Sequence, residues 1–323
     1  MDSYQVLYKE RKGQVLRKAK FGCLTGTYAL NVTMGCGFSC VYCYARGYTN
    51  APPKGKVYLF TNLPYLLTKT LDGIHRRVRP DYVVLNTASD CFQDHPDILN
   101  ITYQVMEVLL SRGIGISFLT KGYIPDRFMG LFKRYCHHIM AQVGLVSLSE
   151  KYWKTFEPGA ARPQERLENI SRLKDMGVIP QVRMDPIIPF ITDTEKDIDE
   201  MFKRLRSLDV KSVSLSYLHL RPAIMDHLKR ELPSIYKKLV ESLFQGQKWT
   251  HVGTSTKTKL VPLGLRKKGY QRIKSMADRY GISTFICACK NPDLKGSICI
   301  SGQIASHFRP KGALRDEQLS LFC

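Results

Sequence analysis

The stretch LNVTMGCGFSCVYCYARGY, residues 30–48, sets Cys36, Cys40 and Cys43 in one short, glycine-marked loop. A CxxxCxxC triad supplies three thiolates to a cubane that has four irons, so a 4Fe-4S cluster held here keeps one iron open for another ligand. Thiolates at short spacing also bind zinc, but no fourth Cys or His lies near this loop. The iron-sulfur reading leads, with zinc and inert core thiols as its alternatives.

Outward from that loop, short β-branched or apolar runs alternate with longer amphipathic segments, the pattern of βα units around a parallel sheet. Strands are predicted over 28–33, 82–86, 115–120, 139–145, 179–184 and 211–218, and helices over 97–111, 125–135, 163–176 and 194–208. Gly113 and Gly177 stand where C-terminal helix caps belong. Six such strands predict an α/β fold, a partial (β/α)6 barrel of the TIM type. Barrel chemistry gathers at the C-terminal ends of the strands, and the cysteine loop directly follows the first of them. After about Arg221 the alternation fades.

The chain of 323 residues carries 49 Lys plus Arg against 28 Asp plus Glu, a formal charge of +21. The surplus sits at both ends, with a net +4 over 1–22 and +10 over 246–323. Lys and Arg in such excess neutralise phosphates and release condensed counterions, which points to a polyanionic partner. The expected organisation is a basic leader over 1–27, the barrel over 28–221 and a basic, cysteine-containing extension over 222–323. The opening residues lack the apolar stretch of a signal peptide, and no run approaches the roughly 18 apolar residues of a membrane span. A reducing cytoplasm is therefore expected, where the ten cysteines would bind metals rather than each other.

The cysteine spacing, with Tyr42 just before the third cysteine, resembles the radical S-adenosylmethionine (SAM) superfamily. That resemblance implies that the amino and carboxylate groups of SAM chelate the open iron, and that an electron from the cluster cleaves SAM to a 5′-deoxyadenosyl radical. It also implies a reductase, flavodoxin or ferredoxin as electron donor. Within the superfamily the chain is similar to the spore photoproduct lyase-like, or DNA repair photolyase-like, branch. Five segments carry the likeness in order: GCGFSCVYCYAR (35–46), SDCFQ (89–93), LTKG (119–122), FEPGAARPQERL (156–167) and DPIIPFITD (185–193). The resemblance makes Tyr42, Ser89, Asp90 and Lys121 candidate SAM contacts, with Lys121 a cation at a strand end suited to a carboxylate. For Lys121 the alternative is a surface lysine, for Asp90 a turn cap, and for Arg183 and Asp185 a plain salt bridge.

Departures from that branch are equally informative. Many relatives have a serine where Gly144 stands here; Ser147 and Ser149 follow, and Ser147 is the candidate cofactor contact. The glycine of the family's Pro-Gly pair is Phe190. Spore photoproduct lyase carries a hydrogen-donating cysteine three positions before the residue matched by Asp90, where this chain has Thr87. Cys91 follows Asp90 and is the candidate catalytic hydrogen donor, with a core thiol as its alternative.

A second group, FICACKNPDLKGSIC, holds Cys287, Cys289 and Cys299 and matches no common zinc signature. The leading expectation is an accessory iron-sulfur cluster, with zinc or incidental cysteines as alternatives and Cys23, Cys323, His307 or a substrate or solvent atom as the fourth ligand. The expected activity is that of a monomeric radical SAM enzyme acting on DNA or RNA, by lesion repair or base modification, with Tyr44, Tyr48 and Phe92 available to stack on an extruded base. The alternatives are a radical SAM enzyme for a peptide or small metabolite, and a nucleic-acid-binding protein with a structural or redox-sensing cluster.

Overall fold

A twisted parallel sheet organises the chain. The computed structural model describes residues 4–20, 22–73, 80–253, 256–294, 304, 307 and 308. The leader contributes β1 (Gln5–Lys9) and β2 (Arg17–Lys18), then β3 (Tyr28–Leu30) and β4 (Thr33–Met34) bracket the entry to the cysteine loop, and β5 (Lys56–Phe60) and α1 (Leu63–Asp72) follow it. From there the βα alternation is regular. It runs β6 (Tyr82–Leu85), α2 (Pro96–Leu110), β7 (Gly115–Thr120), α3 (Arg127–Arg134), β8 (Ile139–Gly144), α4 (Glu150–Phe156), α5 (Pro163–Asp175), β9 (Gln181–Ile187), α6 (Glu195–Ser207) and β10 (Ser212–Tyr217).

Strands β3, β6, β7, β8, β9 and β10 pair in parallel in that order, as six βα units of a partial barrel. Their consecutive buried residues, such as Gly115, Ile116, Ser117 and Phe118 on β7 and every residue of β8, suit strands covered on both faces. Helices start and stop on local signals. Pro163 begins α5, where a missing N–H costs nothing. Thr194 caps α6, its hydroxyl accepting from the Asp197 amide at 3.2 Å. Gly113 and Gly177 follow α2 and α5 with φ of 70° and 79°, a conformation that other residues adopt at a cost.

Both flanks join this framework. β1 pairs with β5 and β5 with β4, a small sheet under the start of the cysteine loop, while β2 pairs antiparallel with β3. Beyond β11 (His219–Leu220), α7 (Pro222–Glu231) and α8 (Ser234–Phe244), β12 (Lys259–Leu260) pairs with β11, and α9 (Leu263–Arg279) leads to β13 (Ser283–Ile286). β13 adds in parallel to β10 at the edge of the main sheet. The segment after residue 221 therefore supplies a seventh parallel strand. Among the described residues the sheet does not close on itself.

Candidate active site

The cysteine loop is clamped from three sides by the other sequence segments of the motif set. Gln93, fully buried, accepts the Gly37 amide at 2.8 Å and donates to Thr33 Oγ1 at 2.9 Å and the Asp90 carbonyl at 3.0 Å. The 156–167 segment lies against the loop's other side: the Val41 amide donates to the Phe156 carbonyl at 3.1 Å and the Gly159 amide to the Phe38 carbonyl at 3.1 Å. A Cβ on Gly159 would stand 2.6 Å from the Gly37 carbonyl oxygen, so only glycine permits this approach. Gly122 plays the same part for the 119–122 segment, its Cβ position lying 2.9 Å from the Phe38 ring and against the Phe92 carbonyl.

A cavity of about 930 Å³ opens at the C-terminal ends of the strands, and Cys36, Cys40 and Cys43 all line it. The three are free thiols. Burial pushes Cys40 up to about 12 and Cys36 well above the ordinary thiol range. Buried thiols of this kind become thiolates when a metal centre supplies the charge, which deprotonates a coordinating thiol outright. The donor set and its burial thus fit a metal cluster.

Glu157 is the electrostatic hub beside the loop, and nothing in the sequence singles it out by itself. Its carboxylate takes Arg166 at 2.5 Å, Lys121 at 3.1 Å and the Tyr42 hydroxyl. Burial alone would raise its pKa, yet Arg166 and Lys121 outweigh that and hold the carboxyl at about 2. Arg166, 1% exposed, also donates to the Gly144 and Ala161 carbonyls at 3.0 and 2.8 Å. The available signal was a Glu and an Arg nine residues apart in a glycine- and proline-marked segment.

Lys121 directly follows β7 in the cavity wall, its side chain largely covered by its partners. Its Nζ donates to Tyr42 Oη at 2.6 Å and to the Asp185 carbonyl at 3.2 Å. A Cβ at Gly144 would lie 2.9 Å from both Cγ and Cε of Lys121, so the lysine side chain fills the space that a serine there would need. Ser147 is buried, accepts the Ser149 amide at 3.1 Å, and is not among the cavity-lining residues. Ser89 does line the cavity, its hydroxyl donating to the Thr33 carbonyl at 3.3 Å.

Asp90 also lines the cavity, but its oxygens are taken by the Phe92 amide (2.9 Å), Thr120 Oγ1 (2.7 Å) and the Lys121 amide (2.8 Å). It braces the end of β7 against the loop after β6, and the first of these bonds is a turn cap. Cys91 corrects the expectation of a hydrogen donor. It is 0% exposed, belongs to the hydrophobic core and does not line the cavity. Phe92 is likewise core, packed edge-on to Phe118 and Phe128.

The far wall is cationic. Arg183 and Lys290 share Asp185 Oδ2 at 2.8 and 2.5 Å, and Arg46 pairs with Glu231 at 2.5 Å. Arg221 lies over the Tyr44 ring, 5.1 Å from its centroid, and Arg230 contacts His227 Nδ1 at 2.9 Å. Among the described residues no carboxylate ion-pairs with either. Tyr44 and Tyr48 line this part of the cavity, partly exposed. On the cavity's rim the structure brings Cys23 to Cys287 and Cys289; Cys299 and Cys323 lie outside the described residues, and His307 stands apart, its ring against Phe308.

Comparison with known proteins agrees with this architecture. The Radical SAM superfamily model matches residues 30–205. An uncharacterized protein of Acidianus two-tailed virus is 25% identical over 235 residues, covering 68% of this chain and 77% of that protein. A radical SAM Nalpha-GlyT isomerase of Pseudomonas phage M6 is 25% identical over 246 residues, 75% of this chain but only 50% of the phage protein. Among solved structures, a spore photoproduct lyase variant with bound AdoMet and dinucleoside spore photoproduct superposes with a TM-score of 0.68. At 16% identity it covers 87% of this chain and 81% of that one, a likeness of fold.

Proposed function

The chain belongs to the radical SAM superfamily and is an enzyme with a spore photoproduct lyase-like fold, and from that premise we propose that it acts on a nucleic acid through a 4Fe-4S cluster held by Cys36, Cys40 and Cys43. Bound there, the cluster supplies the electron that makes a 5′-deoxyadenosyl radical from SAM. This chain's own residues bind and orient. Lys121 and Tyr42, fixed by Glu157, present a cation and a hydroxyl beside the cysteine loop, and Ser89 offers a hydroxyl on the same wall. The radical core is assigned to 28–221, with the basic leader and the extension after 221 completing its sheet edges.

The observation that carries the substrate class is the joint lining of one cavity by the three cysteines and by Arg221, Arg230, Tyr44 and Tyr48. Guanidinium groups without carboxylate partners suit phosphates, and the tyrosine rings suit a base drawn out of its stack. The solved neighbour's dinucleoside lesion is a ligand of the same general chemistry. A ferredoxin or flavodoxin is the proposed electron donor.

Anaerobic enzyme, reduced with dithionite and given SAM with single-stranded or lesion-bearing oligonucleotides, is expected to release 5′-deoxyadenosine faster with an oligonucleotide than without, and to change the oligonucleotide's mass. Stimulation by peptides or small metabolites with no response to any oligonucleotide would overturn the substrate class.

A further inference from the structure

Cys23, Cys287 and Cys289 bring their sulfurs within 4.8 Å of one another, from segments more than 260 residues apart in sequence. Among the described residues this is the one group of three metal-ligating side chains so close together; Cys36, Cys40 and Cys43 do not meet that closeness. The difference discriminates between kinds of centre. In a cubane each cysteine binds its own iron at its own corner, so the sulfurs stand well apart. On one tetrahedral zinc, bonds of about 2.3 Å put the sulfurs about 3.8 Å apart. The Cys287 and Cys289 sulfurs, 3.2 Å apart, fall on the single-ion side.

The site is also built by its backbone. The Gly253 amide donates to the Cys289 carbonyl at 2.7 Å, and a Cβ on Gly253 would lie 2.8 Å from Cys289 Cβ. Gly22, at φ +51°, turns the leader so that its Cβ position faces the Gly253 carbonyl at 2.7 Å and Cys289 Sγ at 3.4 Å. Side chains at either glycine would push the three sulfurs apart. Three thiolates around a divalent ion carry a net charge of −1, and the cations of Arg183 and Lys290, joined through Asp185, stand on this side of the cavity.

We propose that Cys23, Cys287 and Cys289 bind one thiophilic divalent ion, zinc in the first place, at the rim of the cavity that the Cys36 loop lines. Cys23 and Cys289 both line that cavity. Binding releases the thiol protons and ties the leader to the C-terminal segment. The site replaces the expected accessory iron-sulfur cluster and brings in Cys23 as a principal ligand.

The test is metal analysis of the full chain, purified anaerobically with zinc present and reconstituted with iron and sulfide. One zinc per chain is expected, and zinc X-ray absorption should show at least three sulfurs at about 2.3 Å. The Cys36→Ala, Cys40→Ala, Cys43→Ala triple variant should keep its zinc, which separates this site from the proposed cluster. Cys23→Ser with Cys289→Ser should lose at least nine-tenths of the zinc and keep its iron. Should that variant not fold, titration of the wild-type chain with Co2+ alone reads the same site, one equivalent giving tetrahedral thiolate absorption that Zn2+ abolishes. A wild-type chain that takes up neither ion, or loss of iron in place of zinc in the Cys23, Cys289 variant, would overturn the site.

Discussion

Gln93 Oε1 accepts the Gly37 amide at 2.8 Å, and through that bond the loop after β6 sets the shape of the loop that carries the three cysteines. Gln93 is fully buried, its own amide donates to Thr33 and Asp90, and among the described residues no other group accepts the Gly37 amide.

Gln93→Leu leaves the Gly37 amide and Thr33 hydroxyl without this partner, and an unsatisfied buried polar group costs about 1–3 kcal/mol. Denaturant unfolding should show a loss of that size. Iron retained after anaerobic reconstitution should fall as well; unchanged iron and stability would show that the bond does not shape the loop.

Glu157→Gln tests the hub. Removing one partner of a buried ion pair costs about 3–5 kcal/mol. The wild-type carboxyl lies at about 2 in the folded chain against about 4.5 unfolded, so its stabilisation is complete above about pH 4.5 and is lost as the pH falls from there towards 2. The variant should lack that part of the acid slope. Equal acid slopes in the two proteins would remove Glu157 as the source.

Gly144→Ser should displace Lys121 from Tyr42 and Glu157, since the new Cβ meets the lysine stem at 2.9 Å. SAM binding by calorimetry is expected to weaken several-fold. In a Lys121→Ala background the same serine should cost little more, a coupling that a double-mutant cycle measures. Additive effects would contradict the shared space.

How far these features can be read from sequence depends on how local their causes are. Strand 115–120 falls where the apolar run predicts it, and helices α2, α5 and α6 start and stop within one residue of the bounds that the apolar spacing predicts. The cysteine loop is legible because its chemistry is written within eight residues. Cys23 reads in sequence only as one possible partner of Cys287 and Cys289, because more than 260 residues separate them and only the fold brings the leader to the segment after β13. Arg266 looks in sequence like part of an exposed basic run with Lys267 and Lys268, but the fold buries it to 2% exposure, bonded to Asn291 and paired with Asp293. Cys91 faces the core instead of the cavity because a turn, rather than strand alternation, decides which way its side chain points.

Arg221→Gln with Arg230→Gln should weaken oligonucleotide binding across sequences and lower the salt slope by about 2, at close to 0.9 for each phosphate that the protein no longer neutralises. Fluorescence anisotropy between low and moderate salt reads both. An unchanged slope would place the nucleic acid away from this wall.

The central claim is tested most directly by reductive SAM cleavage in the Cys36→Ala, Cys40→Ala, Cys43→Ala variant beside the wild-type chain. The open iron exists only if these three thiolates hold the cluster, so the wild-type chain should release 5′-deoxyadenosine and methionine, and the variant, folded by circular dichroism, should release none above background. Cleavage by the variant at the wild-type rate would contradict the account.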